Sequence, residues 1–570
     1  MTESFHDAMA QGYVLNEPAI PIGSPIDADA ALGDVRVQVS LGVLNRHGLI
    51  AGATGTGKTK TIQLLAGELS NAGVPVFVTD IKGDVTGLGA AGDASNPRVI
   101  ERCQQLDWTF TPSAHPVEFL SLSGKLGAQI RATTHSFGPV LLGKVLGLND
   151  TQTSILSIVF KYCDDNQLPL LDLADLRTTL NYLGSDAAKA ALADYGGIAP
   201  ASLGVINRAL ITLEQQGADT FFGEPEFDVN DLIRTTADGQ GIISILELSD
   251  VMDKPALFGT FVLWMLAQLY HALPEIGDPV KPRLAFFFDE AHLLFDDASK
   301  ALLDEIEQTV RLIRSKGVGV FFATQTPTDI PASVLAQLGN RFQHALRAFT
   351  PQDADNIKKT VQTFPMTTFF DVGQRIQQLG TGEALVTVLS PNGVPTPLAP
   401  TRVGPPDSLM AALDPATFQQ LVATGTLSAK YSTTVDRQSA HEIITARIQA
   451  AQQAAAAAAI PAPVAAAPQG AWSQGAPGAP AGAPMATPGQ VAMTQAEYNR
   501  QVRDQERAAA AAQKAADQAQ RAQQRAQTQA AAAQKRQETQ ILRTGTRLVT
   551  SSVGQSLIRG VFGTLFGGKK

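Results

Sequence analysis

Leu49-Ile50-Ala51-Gly52-Ala53-Thr54-Gly55-Thr56-Gly57-Lys58-Thr59 decides how the chain folds. Its apolar start reads as a short strand. Three glycines, Gly52, Gly55 and Gly57, then lead into Lys58 and Thr59. Behind them, Thr61-Ile62-Gln63-Leu64-Leu65-Ala66-Gly67-Glu68-Leu69 has apolar residues at helical spacing. Strand, glycine loop and helix in that order form the phosphate-cradling pattern G-x-x-x-x-G-K-[ST]. Glycines let the backbone turn so that successive N–H groups face phosphate oxygens at the positive end of a helix. Lys58 is then placed for the β/γ-phosphates and the Thr59 hydroxyl for Mg²⁺. The stretch predicts a nucleoside triphosphate site formed by Gly52, Ala53, Thr54, Gly55, Thr56, Gly57, Lys58 and Thr59.

The rest of the chain supports a large α/β core. With 570 residues and 44% hydrophobic content, there is room for more than one domain. The net charge of −9 gives no global basic field of the kind that marks many nucleic-acid binders. A ring-shaped motor escapes that argument, because a few basic loops facing a channel suffice. Two cysteines, Cys103 and Cys163, argue for a reducing compartment without a disulfide framework. The first residues lack a signal-peptide pattern. The apolar run 256–270 is short for a membrane span and lies between two expected strands, so it reads as a buried helix and the protein as cytoplasmic.

Residues 1–40 carry little pattern beyond one strand near Val35-Arg36-Val37-Gln38-Val39. After the glycine loop, Val74-Pro75-Val76-Phe77-Val78-Thr79 reads as a second strand ending in Asp80-Ile81-Lys82-Gly83-Asp84. Asp80 and Asp84 are either nucleotide-site carboxylates or the polar residues of a turn. From 101 to 237 the strand pattern fades into helical segments at 138–146, 150–162, 170–183 and 202–215, which predicts a mainly helical insertion.

Strands return with Gly241-Ile242-Ile243-Ser244-Ile245-Leu246-Glu247-Leu248 and with Arg283-Leu284-Ala285-Phe286-Phe287-Phe288-Asp289-Glu290. An apolar strand ending in two carboxylates is the expected partner of a phosphate loop. Asp289 is the candidate for the Mg²⁺ shell and Glu290 for the general base. Val318-Gly319-Val320-Phe321-Phe322-Ala323-Thr324-Gln325 is a further buried strand, with Gln325 as a candidate γ-phosphate contact.

These motifs, together with Asn45-Arg46-His47-Gly48 ahead of the loop and Arg314-Ser315-Lys316-Gly317, resemble the HerA/FtsK superfamily of P-loop ATPases. Within it the chain is similar to a bacterial HerA-like group of helicase-type and DUF-type ATPases. The resemblance spans 41–403. It implies a RecA-like (ASCE) α/β core, from 41–100 and 238–405, in which an extra strand separates the phosphate-loop strand from the carboxylate strand. It implies ATP and Mg²⁺ as ligands and a homo-oligomer, a hexameric ring, with ATP between neighbours. It also implies an arginine supplied in trans, which falls on Arg314, with Arg311, Arg341 and Arg347 as alternatives. HerA itself begins with a β-barrel, for which the forty residues ahead of the core are too few.

Beyond the core, 406–450 reads as a helical extension and 451–494 as an Ala/Pro/Gly-rich linker. An Ala/Gln/Arg-rich helix follows over 495–540, then a basic amphipathic segment over 541–570. That last segment suits a protein partner, a membrane surface or the protein's own ring. Three functions remain open at this stage: a DNA translocase or helicase, an ATP-driven protein-handling motor, and a nucleotide-dependent assembly switch.

Overall fold

The computed structural model describes residues 4–458, apart from 189–191, 278 and 297–299. The helix Ala440–Ala458 runs on into the start of the linker expected over 451–494, its alanines favouring helix there. The rest of that linker, the Ala/Gln/Arg-rich helix and the basic segment lie outside the described residues.

Thirteen strands among the described residues join in one sheet. In chain order they are β1 (Ala19–Asp27), β2 (Ala30–Ala31), β3 (Val37–Ser40), β4 (Gly48–Ala51), β5 (Val76–Asp80), β6 (Val117–Ser121) and β7 (Ala128–Gln129). The remainder are β8 (Ile243–Glu247), β9 (Leu284–Phe288), β10 (Val318–Thr324), β11 (Asn340–His344), β12 (Glu383–Thr387) and β13 (Ala399–Val403). The central strands run in the order β11-β4-β10-β9-β5-β8-β6-β7, and every neighbouring pair is parallel. β10 lies between the phosphate-loop strand β4 and the carboxylate strand β9, which is the RecA-like arrangement. On the β11 side the sheet continues antiparallel through β12, β13 and β1.

Both faces of the central sheet are covered, so β4, β9 and β10 are buried along their whole length and almost wholly apolar. Phe287 and Phe321 stack at 4.8 Å on the face that receives the helix Lys58–Asn71, through Ile62, Leu65 and Leu69. Phe288 and Phe322, 5.6 Å apart, point to the opposite face with Phe77 and Phe286. There the helix Pro255–Ala272 buries Phe261 and Trp264 against them. No helix among the described residues is long and apolar enough to cross a membrane.

The structure departs from the sequence reading at both edges of the sheet. The first forty residues hold three strands and the helix Phe5–Gly12, not one strand. Pro21 and Pro25 obscure the nine-residue β1, since proline argues against a central strand. The two halves of β1 pair with different neighbours: Pro21 lies opposite Gln38 of β3, whereas Pro25 lies opposite Thr401 of β13 and its carbonyl accepts from the Leu32 N–H at 2.8 Å.

Within 101–237 the four expected helices are present as Thr134–Val145, Asp150–Asp165, Leu173–Leu183 and Pro200–Gln215. The same region also adds β6 and β7 to the sheet. Glu118 breaks the apolar run of β6, yet it is buried. Its carboxylate accepts from the Thr426 N–H at 3.0 Å and the Leu427 N–H at 3.3 Å, and it pairs with Arg234 at 3.3 Å. A buried charge paired in this way is tolerated, and a hydrophobic pattern cannot anticipate it.

Candidate nucleotide site

The loop 52–57 leaves the carboxyl end of β4 and is tied to three neighbouring strands. Gly52 N–H donates to Thr324 O at the end of β10 (3.2 Å), and Ala53 N–H donates to Ala345 O just past β11 (2.9 Å). Gly382 N–H, ahead of β12, donates to Thr56 O (2.9 Å). Gly52 has φ +157°, and a Cβ there would lie 2.5 Å from that of His344, so this position admits glycine alone. His344 is fully buried. Its ring nitrogens meet Thr61 Oγ1 at 3.0 Å and Glu383 O at 2.9 Å. Burial pushes its pKa down to about 4.

Lys58 opens the helix Lys58–Asn71 and is itself buried. Its Nζ donates to the carbonyl of Gly52 at 2.7 Å and leans on that of Ala53 at 3.4 Å. Burial lowers its pKa, against the opposing pull of Glu290 and Asp289. Thr59 Oγ1 donates to Asp84 Oδ2 at 3.3 Å.

Asp289 and Glu290 follow β9. The Asp289 N–H donates to Thr79 Oγ1 and the Glu290 N–H to Asp289 Oδ1, both at 2.9 Å. Burial, with Glu290 adjacent, raises the Asp289 carboxyl to about 7. Glu290 is held at φ +46°, a left-handed conformation that costs a residue with a side chain about 1–2 kcal/mol. Strain of this kind concentrates at functional sites. One Glu290 oxygen forms an ion pair with Lys82, and the other lies 3.4 Å from His292 Nδ1. Burial alone would raise the Glu290 carboxyl, but the Lys82 hydrogen bond and the charges of Lys82, Lys58 and His292 bring it below its ordinary value.

The carboxyl end of β10 bridges the two motifs, since Thr324 O receives the loop and Ala323 O receives the Ala291 N–H at 2.8 Å. Gln325 therefore emerges, exposed, between Gly52 and Asp289. Lys58, Thr59, Asp289, Glu290 and Gln325 all lie at one end of the sheet, at neighbouring strand ends, as ligand sites in open α/β sheets do.

The residues present fit Mg²⁺. The Thr59 hydroxyl, Asp84 and Asp289 are hard oxygen donors, and Asp84 Oδ1 is buried without a hydrogen-bond partner. No three His, Cys, Asp or Glu side chains among the described residues form a closed cage. Mg²⁺ is commonly held by one or two carboxylates together with phosphate oxygens.

The arginines separate clearly. Arg314 lies in a turn (Arg314–Lys316) ahead of β10, at the opposite end of the sheet from the loop. Seven residues of β10 put it about 23 Å from that end, so it cannot reach the site of its own chain. Arg311 pairs with Glu307 at 2.7 Å. Arg341 donates to the carbonyls of Leu338, Thr363 and Leu335, and Arg347 to those of Leu346, Gln377 and Leu379. Both are bound to backbone carbonyls of the same chain. Sequence reading passed over Lys82 and His344. Lys82 stood inside a turn already singled out, whereas no pattern marked His344.

Topology and site together define a P-loop ATPase with the β4-β10-β9 strand order. The family described as helicase HerA-like, C-terminal, matches residues 28–487, and the chain belongs to that family. No functionally curated protein matches it. Among solved structures it is similar to the bacterial conjugative coupling protein TrwBdeltaN70, at 14% identity and TM-score 0.45 over 72% of this chain and 93% of that one. VirB4 of Thermoanaerobacter pseudethanolicus is similar at 14% identity and TM-score 0.43, over 68% and 97% respectively. A third is the plasmid coupling protein TrwB in complex with ADP and Mg²⁺, at 13% and 0.45, over 71% and 97%.

Proposed function

We propose that the chain hydrolyses ATP with Mg²⁺ as a homohexameric ring and uses the cycle to move DNA. In this reading Lys58 and the backbone N–H groups of the loop hold the phosphates. Thr59 and Asp289, with Asp84 beside them, hold the metal, which neutralises phosphate charge when bound. Glu290 takes the proton of the attacking water, and Gln325 contacts the terminal phosphate.

The observation that supports an assembly most directly is the position of Arg314. It lies at the opposite strand end from its own loop, and in a ring it would act on a neighbour's nucleotide. Movement of DNA is supported by membership of a family described as helicase HerA-like. A cytoplasmic location is supported by the unpaired Cys103 and Cys163.

The net charge of −9 favours a second reading, in which the motor or switch acts on a protein held through residues 541–570. ATPase rates with and without single- and double-stranded DNA, across salt concentrations and with Glu290→Gln as the blank, separate the two. Stimulation that fades as salt rises supports DNA translocation. Robust hydrolysis indifferent to DNA supports the protein partner.

A further inference from the structure

The turn after β5 is organised by one carboxylate. Asp80 is fully buried, and its Oδ1 accepts from the backbone N–H groups of Lys82, Gly83 and Asp84 at 3.2, 2.7 and 3.2 Å. Oδ2 accepts from the Val85 N–H at 2.8 Å. Gly83, at φ +74°, supplies the left-handed step that closes the turn. Asp80 is thus a structural anchor, whereas the residues it orients face the site. Asp84 receives Thr59 from the phosphate loop, and Lys82, just past β5, reaches Glu290, just past the neighbouring strand β9.

Lys82 differs from its partner in exposure. Its side chain is 47% exposed, against 6% for Glu290, so the ammonium caps a buried carboxylate on its open side. It also lies near enough to Lys58 for the two cations to disfavour each other. A terminal phosphate bound beside Lys58 would bring further negative charge to that same open side.

We propose that Lys82 is a further substrate-contacting residue of the nucleotide site, exchanging Glu290 for the terminal phosphate when a nucleoside triphosphate binds. The inference rests on the reading of the P-loop and Glu290 given above. An ammonium on a flexible four-carbon stem can swing between two anions without moving the backbone, which Asp80 holds fixed. The exchange leaves the Glu290 carboxylate open to the attacking water. A diphosphate ends one phosphate short and leaves the ion pair closed. Lys82 therefore distinguishes ATP from ADP without touching base or ribose.

Calorimetric titration of the full-length protein with ADP and with the non-hydrolysable analogue ADPNP tests this. In Lys82→Ala the analogue loses about tenfold or more in affinity while ADP stays within about twofold, which also shows that the site is folded. Lys82→Arg retains the discrimination. Glu290→Gln releases Lys82 and tightens the analogue, and adding Lys82→Ala removes that gain. Unchanged discrimination in Lys82→Ala, equal loss for both nucleotides, or a Glu290→Gln gain that survives removal of Lys82 overturns the proposal. Wild-type protein that binds neither nucleotide overturns the P-loop reading itself, and this proposal with it.

Discussion

Lys58 Nζ donates to the carbonyl of Gly52, 2.7 Å away, so the cation of the phosphate loop is satisfied by the loop it serves. A phosphate takes over that bond without an ordering step, because the loop is already tied to β10, β11 and β12. Lys58→Ala is expected to lower ATP hydrolysis by about a hundredfold or more through the loss of this charge. Steady-state kinetics with thermal melts as a folding control check it.

Glu290→Gln preserves shape and the bond between its N–H and Asp289 while removing the base. We expect kcat to fall by about 10²–10⁴ with nucleotide binding retained. Nucleotide titration alongside single-turnover hydrolysis distinguishes the two effects. A rate equal to wild type would remove Glu290 from the role of general base.

Mixing two inactive variants tests the assembly. A site built from one subunit's Glu290 and a neighbour's Arg314 is intact at some interfaces when Arg314→Ala and Glu290→Gln subunits are mixed. Random mixing should restore up to about a quarter of wild-type hydrolysis, since an arginine supplied in trans needs only one intact pair. No recovery in verified mixed assemblies would exclude Arg314 from that role.

Two buried histidines flank β4 and predict the acid limb of stability. His47 accepts the Val320 N–H at Nδ1 (3.0 Å), and burial holds both His47 and His344 down to about 4. The unfolded chain protonates near 6.5, ahead of the folded one. Their contribution is therefore full above about pH 6.5 and is lost as pH falls towards 4, with a slope of about 1.4 kcal/mol per pH unit for each. The raised carboxyls of Asp289, Glu247 and Glu68 act in the opposite direction over this range. The histidine share is therefore read as the difference between wild type and His344→Gln in denaturant titrations at pH 7, 5.5 and 4.5, with the variant gaining relative stability as pH falls.

Glu118 predicts a stability effect far from the site. Glu118→Ala strips the Thr426 and Leu427 N–H groups of their acceptor and leaves Arg234, still bonded to Asp231 O and Thr426 Oγ1, without its carboxylate. A loss of about 3–5 kcal/mol in chemical denaturation is expected, with Glu118→Gln milder.

The parallel core is legible in the chain because both faces of β4, β5, β8, β9 and β10 are buried, which makes each a largely apolar run. Candidate site residues then sit at the run's end, where Asp289-Glu290 and Thr324-Gln325 stand out. Legibility fails where burial is satisfied by polar partners. Glu118 hides β6, and the two prolines hide β1. Lys82 is hidden for a different reason: its meaning depends on Glu290, 208 residues later, and a contact that distant leaves no local pattern.

The cover over Glu118 also bears on where the chain can be shortened. Helices Pro415–Thr424 and Thr426–Tyr431 pack on β6 and β7, the last strands on that side of the sheet. Ending the polypeptide ahead of Thr426 would strip a lateral margin of its lid and uncap Glu118 at once. Such a fragment would retain every nucleotide-site residue named above and would still be prone to self-association, because a bared strand recruits another. The catalytic module thus does not stop where its chemistry stops, and solubility requires the chain to run on through these helices.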